Sequence, residues 1–143
     1  MKRLIGLPVI VAGKQIGTVV RGVLSADGKR LRGLVVRDGL RASRYLAAED
    51  ISMLGRLAVI GKCRPGRLPK DAGNKLFRVT DADGARVGVV TDVLLDENTL
   101  CVGALEISAG PVDDLISGRW YATAFDVRST AAVGHVTIPC RQQ

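Results

Sequence analysis

The chain has 143 residues, 47% of them hydrophobic and 24% charged, a balance that excludes intrinsic disorder. No run of 18 or more apolar residues occurs, which excludes a membrane-spanning helix, and the net charge is +7. Three cysteines, Cys63, Cys101 and Cys140, are an odd and widely spaced set that suggests neither a disulfide framework nor a metal knuckle; a reducing, cytoplasmic setting is expected.

Aromatic residues make up only 3% of the chain, so its core must be built from Val, Leu, Ile and Ala, which favours pleated strands. Lys2 and Arg3 precede an apolar stretch, Leu4 to Ala12, but Gly6 and Pro8 interrupt it, and it reads as a first strand and not as a leader. Gln15 to Leu24 and Arg30 to Arg37 read as strands joined at Asp27-Gly28, a pair suited to the positive φ angles of a tight hairpin. Ala47 to Ile51 reads as one helical turn, and Leu57 to Ile60 as a closing strand. Gly61 to Gly73 then holds five Gly or Pro in thirteen positions, which is linker composition.

Beyond the linker the pattern starts again. Shifting the chain by 71 positions lays Gly13-Lys14-Gln15-Ile16-Gly17 over Gly84-Ala85-Arg86-Val87-Gly88, and the apolar pairs Val19/Val90, Leu34/Leu105 and Val36/Ile107 follow without a gap. A shift of 76 then pairs Tyr45 with Tyr121 and Asp50 with Asp126, so the second copy carries about five extra residues within Ser108 to Gly118. Its hairpin turn is Asp96-Glu97-Asn98, with Asn98 the residue expected in the left-handed conformation. Its ending is Ala122 to Val127 and Val133 to Ile138. Three units follow: a basic repeat over 1–62, a linker over 63–73 and an acidic repeat over 74–143. Repeats of this size are marginal alone, so aliphatic side chains are expected to seal each small sheet and the two units to pack together.

These residues resemble the PRC-barrel family. The likeness is carried by Gly13-x-x-Ile16-Gly17-x-Val19, the acidic turn, the aliphatic third strand, and the ending Leu46-Ala47-Ala48-Glu49-Asp50-Ile51-Ser52-Met53-Leu54-Gly55-Arg56-Leu57-Ala58-Val59-Ile60. The second copy keeps Gly84, Gly88, Asp126 and Val127 but lacks a counterpart of Gly55. The resemblance implies an all-β fold of two tandem small barrels packed together, with short helical turns. It also implies a noncatalytic docking surface, as in the cytoplasmic part of the photosynthetic reaction-centre H subunit and the second domain of a factor that matures the small ribosomal subunit. Of the family's members, the small stand-alone ones are most similar.

Catalytic constellations are not evident. His135, the lone histidine, reads as an outward or edge position of a late strand. Asp113-Asp114, near Glu106, read as a solvated loop, and Gly13, Gly17 and Gly22 lack the Lys-Ser/Thr and helix start of a phosphate cradle. No catalytic, metal or cofactor-binding residue is expected, and no enzyme. The charge distribution does stand out: residues 1–71 carry 15 basic against 5 acidic residues, a net +10, while residues 72–143 carry 6 against 9, a net −3. Arg30, Arg32, Arg37, Arg41 and Arg44 form the candidate surface for a polyanion or partner. Tyr45 is the sole aromatic of the first repeat, which favours protein docking over RNA binding by base stacking. Trp120 and Tyr121 are candidate anchors for packing or for a partner, and the opposite signs of the halves suit a homo-oligomer. The expected function is a protein-docking adaptor, with an RNA- or ribosome-associated factor as the alternative.

Overall fold

Short strands such as Pro8–Val11 and Val59–Gly61 alternate at a period of two, the spacing that buries one face, while Leu31–Arg37 and Val102–Ser108 are buried over most of their length. The computed structural model describes residues 2–70, 76–129 and 133–139, and strands dominate it. The first repeat comprises β1 (Lys2–Arg3), β2 (Pro8–Val11), β3 (Lys14–Leu24), β4 (Leu31–Arg37), β5 (Arg44–Ala47), a 3₁₀ turn (Ala48–Asp50), β6 (Ile51–Leu54) and β7 (Val59–Gly61). The second comprises β8 (Leu76–Asp81), β9 (Arg86–Leu95), β10 (Val102–Ser108), helix α1 (Pro111–Ser117), β11 (Trp120–Ala122), β12 (Asp126–Ser129) and β13 (Val133–Ile138). No helix among the described residues is long and apolar enough to cross a membrane.

Each repeat forms a sheet, ordered β5-β4-β3-β2-β7-β6 in the first and β11-β10-β9-β8-β13-β12 in the second. The orders correspond strand for strand, and the single parallel pairing falls at the same place in both, β2 with β7 and β8 with β13. The correspondence extends to the bulges. In the first sheet the register slips between Val19/Val36 and Arg21/Val35; in the second it slips between Val90/Ile107 and Asp92/Glu106, which are the same positions 71 residues on. Gly17 and Gly88 are glycine for one steric reason. A Cβ on Gly17 would lie 2.8 Å from the carbonyl oxygen of Arg37, and one on Gly88 would run into that of Ser108.

The two sheets meet at their hairpins, around a pseudo-two-fold axis. Leu31 donates its N–H to the carbonyl of Leu100 at 2.9 Å, and Val102 donates to that of Lys29 at 2.8 Å. Since 29 corresponds to 100 and 31 to 102, each bond is the image of the other. Arg30 and Cys101, themselves equivalent, face each other in an antiparallel bridge between them. This is the reciprocal geometry of a two-fold dimer interface, held here within one chain. From this contact β4 and β10 run in opposite directions for seven residues each, carrying their far ends about 20 Å to either side.

Both repeats contribute to one continuous core, in which Val9, Leu34, Val36, Leu46 and Val59 join Val79, Leu95, Leu105, Ile107 and Val136. The expectation that each sheet seals its own core is corrected here: the cores merge, because a repeat of 60 to 70 residues has too little interior to bury its aliphatic faces alone. Leu4, fully buried, lies in the same core, and β1 pairs with β9 of the second repeat through Lys2/Leu95 and Arg3/Leu94.

Three local expectations also change. Ser25 bonds to the carbonyl of Arg30 at 2.8 Å, so the first hairpin loop has four residues and only Gly28, φ +71°, needs the left-handed region. In the second hairpin the carboxylate of Asp96 accepts the N–H groups of Asn98 and Thr99, and the positive φ falls on Leu100, at 59°, not on Asn98. The extra residues of the second repeat form α1, with Pro at its start and Gly118 closing it by an N–H bond to the Asp114 carbonyl at 2.8 Å. Cys140 and the linker residues 71–73 lie outside the described residues.

Candidate functional site

The far ends of β4 and β10 each open onto a groove. In the first repeat Lys14, Arg41, Arg44 and Arg64 line a space of about 550 Å³ together with one carboxylate, Asp38, over an apolar floor of Ile16, Val36 and Pro65. In the second, Arg78 and Arg86 line about 460 Å³ beside Gly88, Val89 and the start of α1. Both grooves form where the Gly17 or Gly88 strand passes the segment after β4 or β10, but their linings differ: only Gln15/Arg86 and Asp38/Ala109 coincide under the 71-residue shift.

Of the five arginines singled out from sequence, the structure brings Arg41 and Arg44 together in the first groove. Arg37 stands next to them, its guanidinium donating to Ser43 Oγ at 3.4 Å. Arg30 is at the opposite end of β4, on the pseudo-two-fold contact, and Arg32 is exposed on the strand between. The five therefore do not form one cluster. Lys14 and, from the basic linker, Arg64 complete the groove from positions distant along the sequence; Arg64 arrives because Gly66 bonds in both directions to the Tyr45 backbone, at 2.9 and 3.0 Å. His135 is exposed on the strand next to the sheet edge, flanked in register by Arg78 and Arg128.

A second constellation is buried. Glu106, 1% exposed, accepts from Thr91 Oγ1 at 2.8 Å and Arg119 Nη1 at 3.0 Å on one oxygen, and from Arg3 Nη2 at 2.9 Å and the Tyr121 hydroxyl at 3.1 Å on the other. Asp92 lies 3.5 Å from Arg3 Nε, and Asp114 accepts from Ser108 Oγ at 2.6 Å and Arg119 Nε at 3.4 Å. Burial pushes the Glu106 carboxyl up, yet the hydrogen bonds from Thr91, Arg119 and Tyr121 and the charge of Arg3 outweigh it and hold the group below its ordinary range. Burial dominates at Asp92 and raises it, against N–H bonds from Val93, Leu4 and Ile5. The Asp113-Asp114 segment is thus no solvated loop: Asp114 is a hydrogen-bonding partner within the cluster. Glu106 has both oxygens engaged, and the cluster ties β1, β9, β10, α1 and β11 together; Asp114 Oδ1 is buried in it without a hydrogen-bond partner among the described residues.

Residues 77–136, from β8 into β13, match the family model of the PRC-barrel domain. The second repeat is a PRC-barrel domain. Among curated proteins none matches the chain. The first repeat has the strand order and bulges of that PRC-barrel domain but changes its buried polar cluster: Val35 stands where Glu106 does, and Arg21 where Asp92 does. Val23 and Val35 instead form a small apolar cluster covered by Val20, Tyr45 and Leu68, the last from the linker. The segment leading into each repeat therefore covers the other one, Arg3 over the PRC-barrel cluster and Leu68 over its apolar counterpart.

The PRC-barrel domain also exposes aliphatic surface. On α1, Val112, Leu115 and Ile116 are 69%, 88% and 77% exposed, and Leu40, in the equivalent loop of the first repeat, is fully exposed. Trp120 packs against the merged core, while Tyr121 turns its hydroxyl to Glu106 and so serves the cluster of its own repeat.

Proposed function

We propose that the chain is a noncatalytic adaptor that docks a protein partner, in the reducing cytoplasmic setting its unpaired cysteines suit. The observation that carries this reading is α1. A seven-residue helix with three aliphatic side chains facing water gains nothing from them in the free protein, and clustered exposed aliphatics mark contact surfaces. Family membership supports the same reading, because a PRC-barrel is a small scaffold whose chemistry lies on its surface and not in its fold.

The test is a pair of substitutions, Leu115→Asp and Ile116→Asp. Both positions are exposed, so the melting temperature is expected to stay within a few degrees of the parent. A partner recovered specifically with the parent from native extracts is expected to be lost with the double variant. Recovery of the same partner by both would remove α1 as the docking surface.

An RNA- or ribosome-associated role draws support from the basic grooves, which would give an affinity falling steeply with salt. Neither groove has an aromatic side chain among its lining residues for base stacking, and protein docking is the better supported reading.

A further inference from the structure

We infer that the two grooves are peptide sites, each receiving an acidic, extended segment of a protein partner, so that one chain holds two such segments on opposite sides of its pseudo-two-fold contact. This rests on the docking reading above and names the partner's chemistry.

Charge is the first ground. Lys14, Arg41, Arg44 and Arg64 face Asp38 alone across the first groove, and among the described residues no ion pair neutralises those four cations, whereas Arg3 and Arg119 are both paired. The second ground is that the pattern recurs against the local charge. Residues 72–143 carry a net −3, yet the groove they form is lined by Arg78 and Arg86 with no carboxylate. The two linings are basic through different residues, since Arg86 has Gln15 and Arg78 has Leu7 as its counterpart, so the charge belongs to each groove and not to overall composition. Of the acids of the second repeat, Glu106 and Asp92 lie inside and Asp96 and Glu97 at the hairpin tip, while Asp81 and Asp83 sit in the turn before Arg86 and Asp113 and Asp114 on α1.

The floors separate a peptide from a nucleic acid. Ile16 and Val36 below the first groove and Val89 below the second offer apolar contact to side chains that alternate with carboxylates, whereas neither lining has an aromatic ring on which a nucleobase would stack. Leu40, fully exposed beside Arg41, adds an apolar lip. At about 550 and 460 Å³ each space suits a few residues of extended chain. Because β4 and β10 diverge from the Arg30/Cys101 bridge, one straight segment does not span both grooves, and two segments from a dimeric partner would bind with avidity.

The test is calorimetric titration of the full chain at low salt with a short peptide of alternating Glu and Leu, with its Gln-for-Glu counterpart, and with oligouridylate of equal length. Two sites per chain are expected, and the Gln peptide is expected to bind at least about tenfold more weakly. Arg41→Glu with Arg44→Glu is expected to remove the tighter site, and Arg78→Glu with Arg86→Glu the weaker; circular dichroism checks that these exposed substitutions leave the fold intact. Peptide binding untouched by either pair of reversals overturns the proposal. So does tighter binding of oligouridylate lost with the same reversals, which makes the grooves nucleic-acid sites. A chain that binds no peptide but still recovers its partner through α1 overturns the groove assignment alone. Peptide binding in a chain whose partner recovery ignores Leu115→Asp and Ile116→Asp upholds the grooves and overturns the α1 reading.

Discussion

Glu106 shows how one residue can be a structural hub while looking, in sequence, like a stray charge. It lies in an aliphatic strand, Ala104-Leu105-Glu106-Ile107, and its being buried there is tolerable only because two arginines, a threonine and a tyrosine hydroxyl converge on it. Glu106→Gln is expected to lower stability at pH 7 by about 2 kcal/mol, measured by urea unfolding. The pH dependence has a definite sign. The folded-state pKa is held below its ordinary value of 4.5, so the contribution is complete above that pH and is lost as pH falls through the folded value. The gap between parent and variant should therefore narrow in acid; a gap constant down to pH 3 would contradict the assignment. Gly88→Ala is expected to cost 1–3 kcal/mol by forcing a methyl against the Ser108 carbonyl, read as a lowered urea midpoint. The importance of Gly17 and Gly88 was visible in the sequence as a repeated glycine. The Glu106 cluster was not, because its members are spread from Arg3 to Tyr121 and only tertiary pairing assembles them; an acid at the one position where the first repeat has Val35 was the available signal.

Among the elements, β1 and α1 are where reading by pattern fell short. Lys2–Arg3 is too short to show a period, and its partner, β9, is more than 80 residues away. Its value lies in Arg3, which bridges Asp92 and Glu106 from a half-exposed position. Arg3→Ala is expected to destabilise by about 1 kcal/mol, less than Glu106→Gln because Arg119 still holds Glu106, and hydrogen exchange should quicken at Leu94 and Leu95 first. Unchanged exchange there would show that β1 does not depend on Arg3. The inserted helix escaped notice for a different reason: seven residues give too few turns for a helical period, and Pro111 and Gly118 also read as loop punctuation. Strands β3 and β4, long and rich in β-branched residues, were legible nearly to their ends.

At the scale of the whole molecule, the duplication was legible because the same apolar positions and glycines recur 71 residues apart. The relation between the copies was not, since Arg30 and Cys101 meet on the pseudo-two-fold axis without any likeness of residue type. That contact sets the directions of β4 and β10, and so places the two basic grooves on opposite sides of a shared core. It can be tested directly. Arg30 and Cys101 form a non-hydrogen-bonded antiparallel pair, flanked by the Leu31–Leu100 and Val102–Lys29 bonds, and such pairs bring Cα atoms to about 4.5 Å, within disulfide range. In a chain with Arg30→Cys, Cys63→Ser and Cys140→Ser, mild oxidation followed by peptide mass spectrometry is expected to find a 30–101 disulfide within monomeric protein. Free thiols after oxidation, or crosslinks only between chains, would contradict the arrangement on which the rest is built.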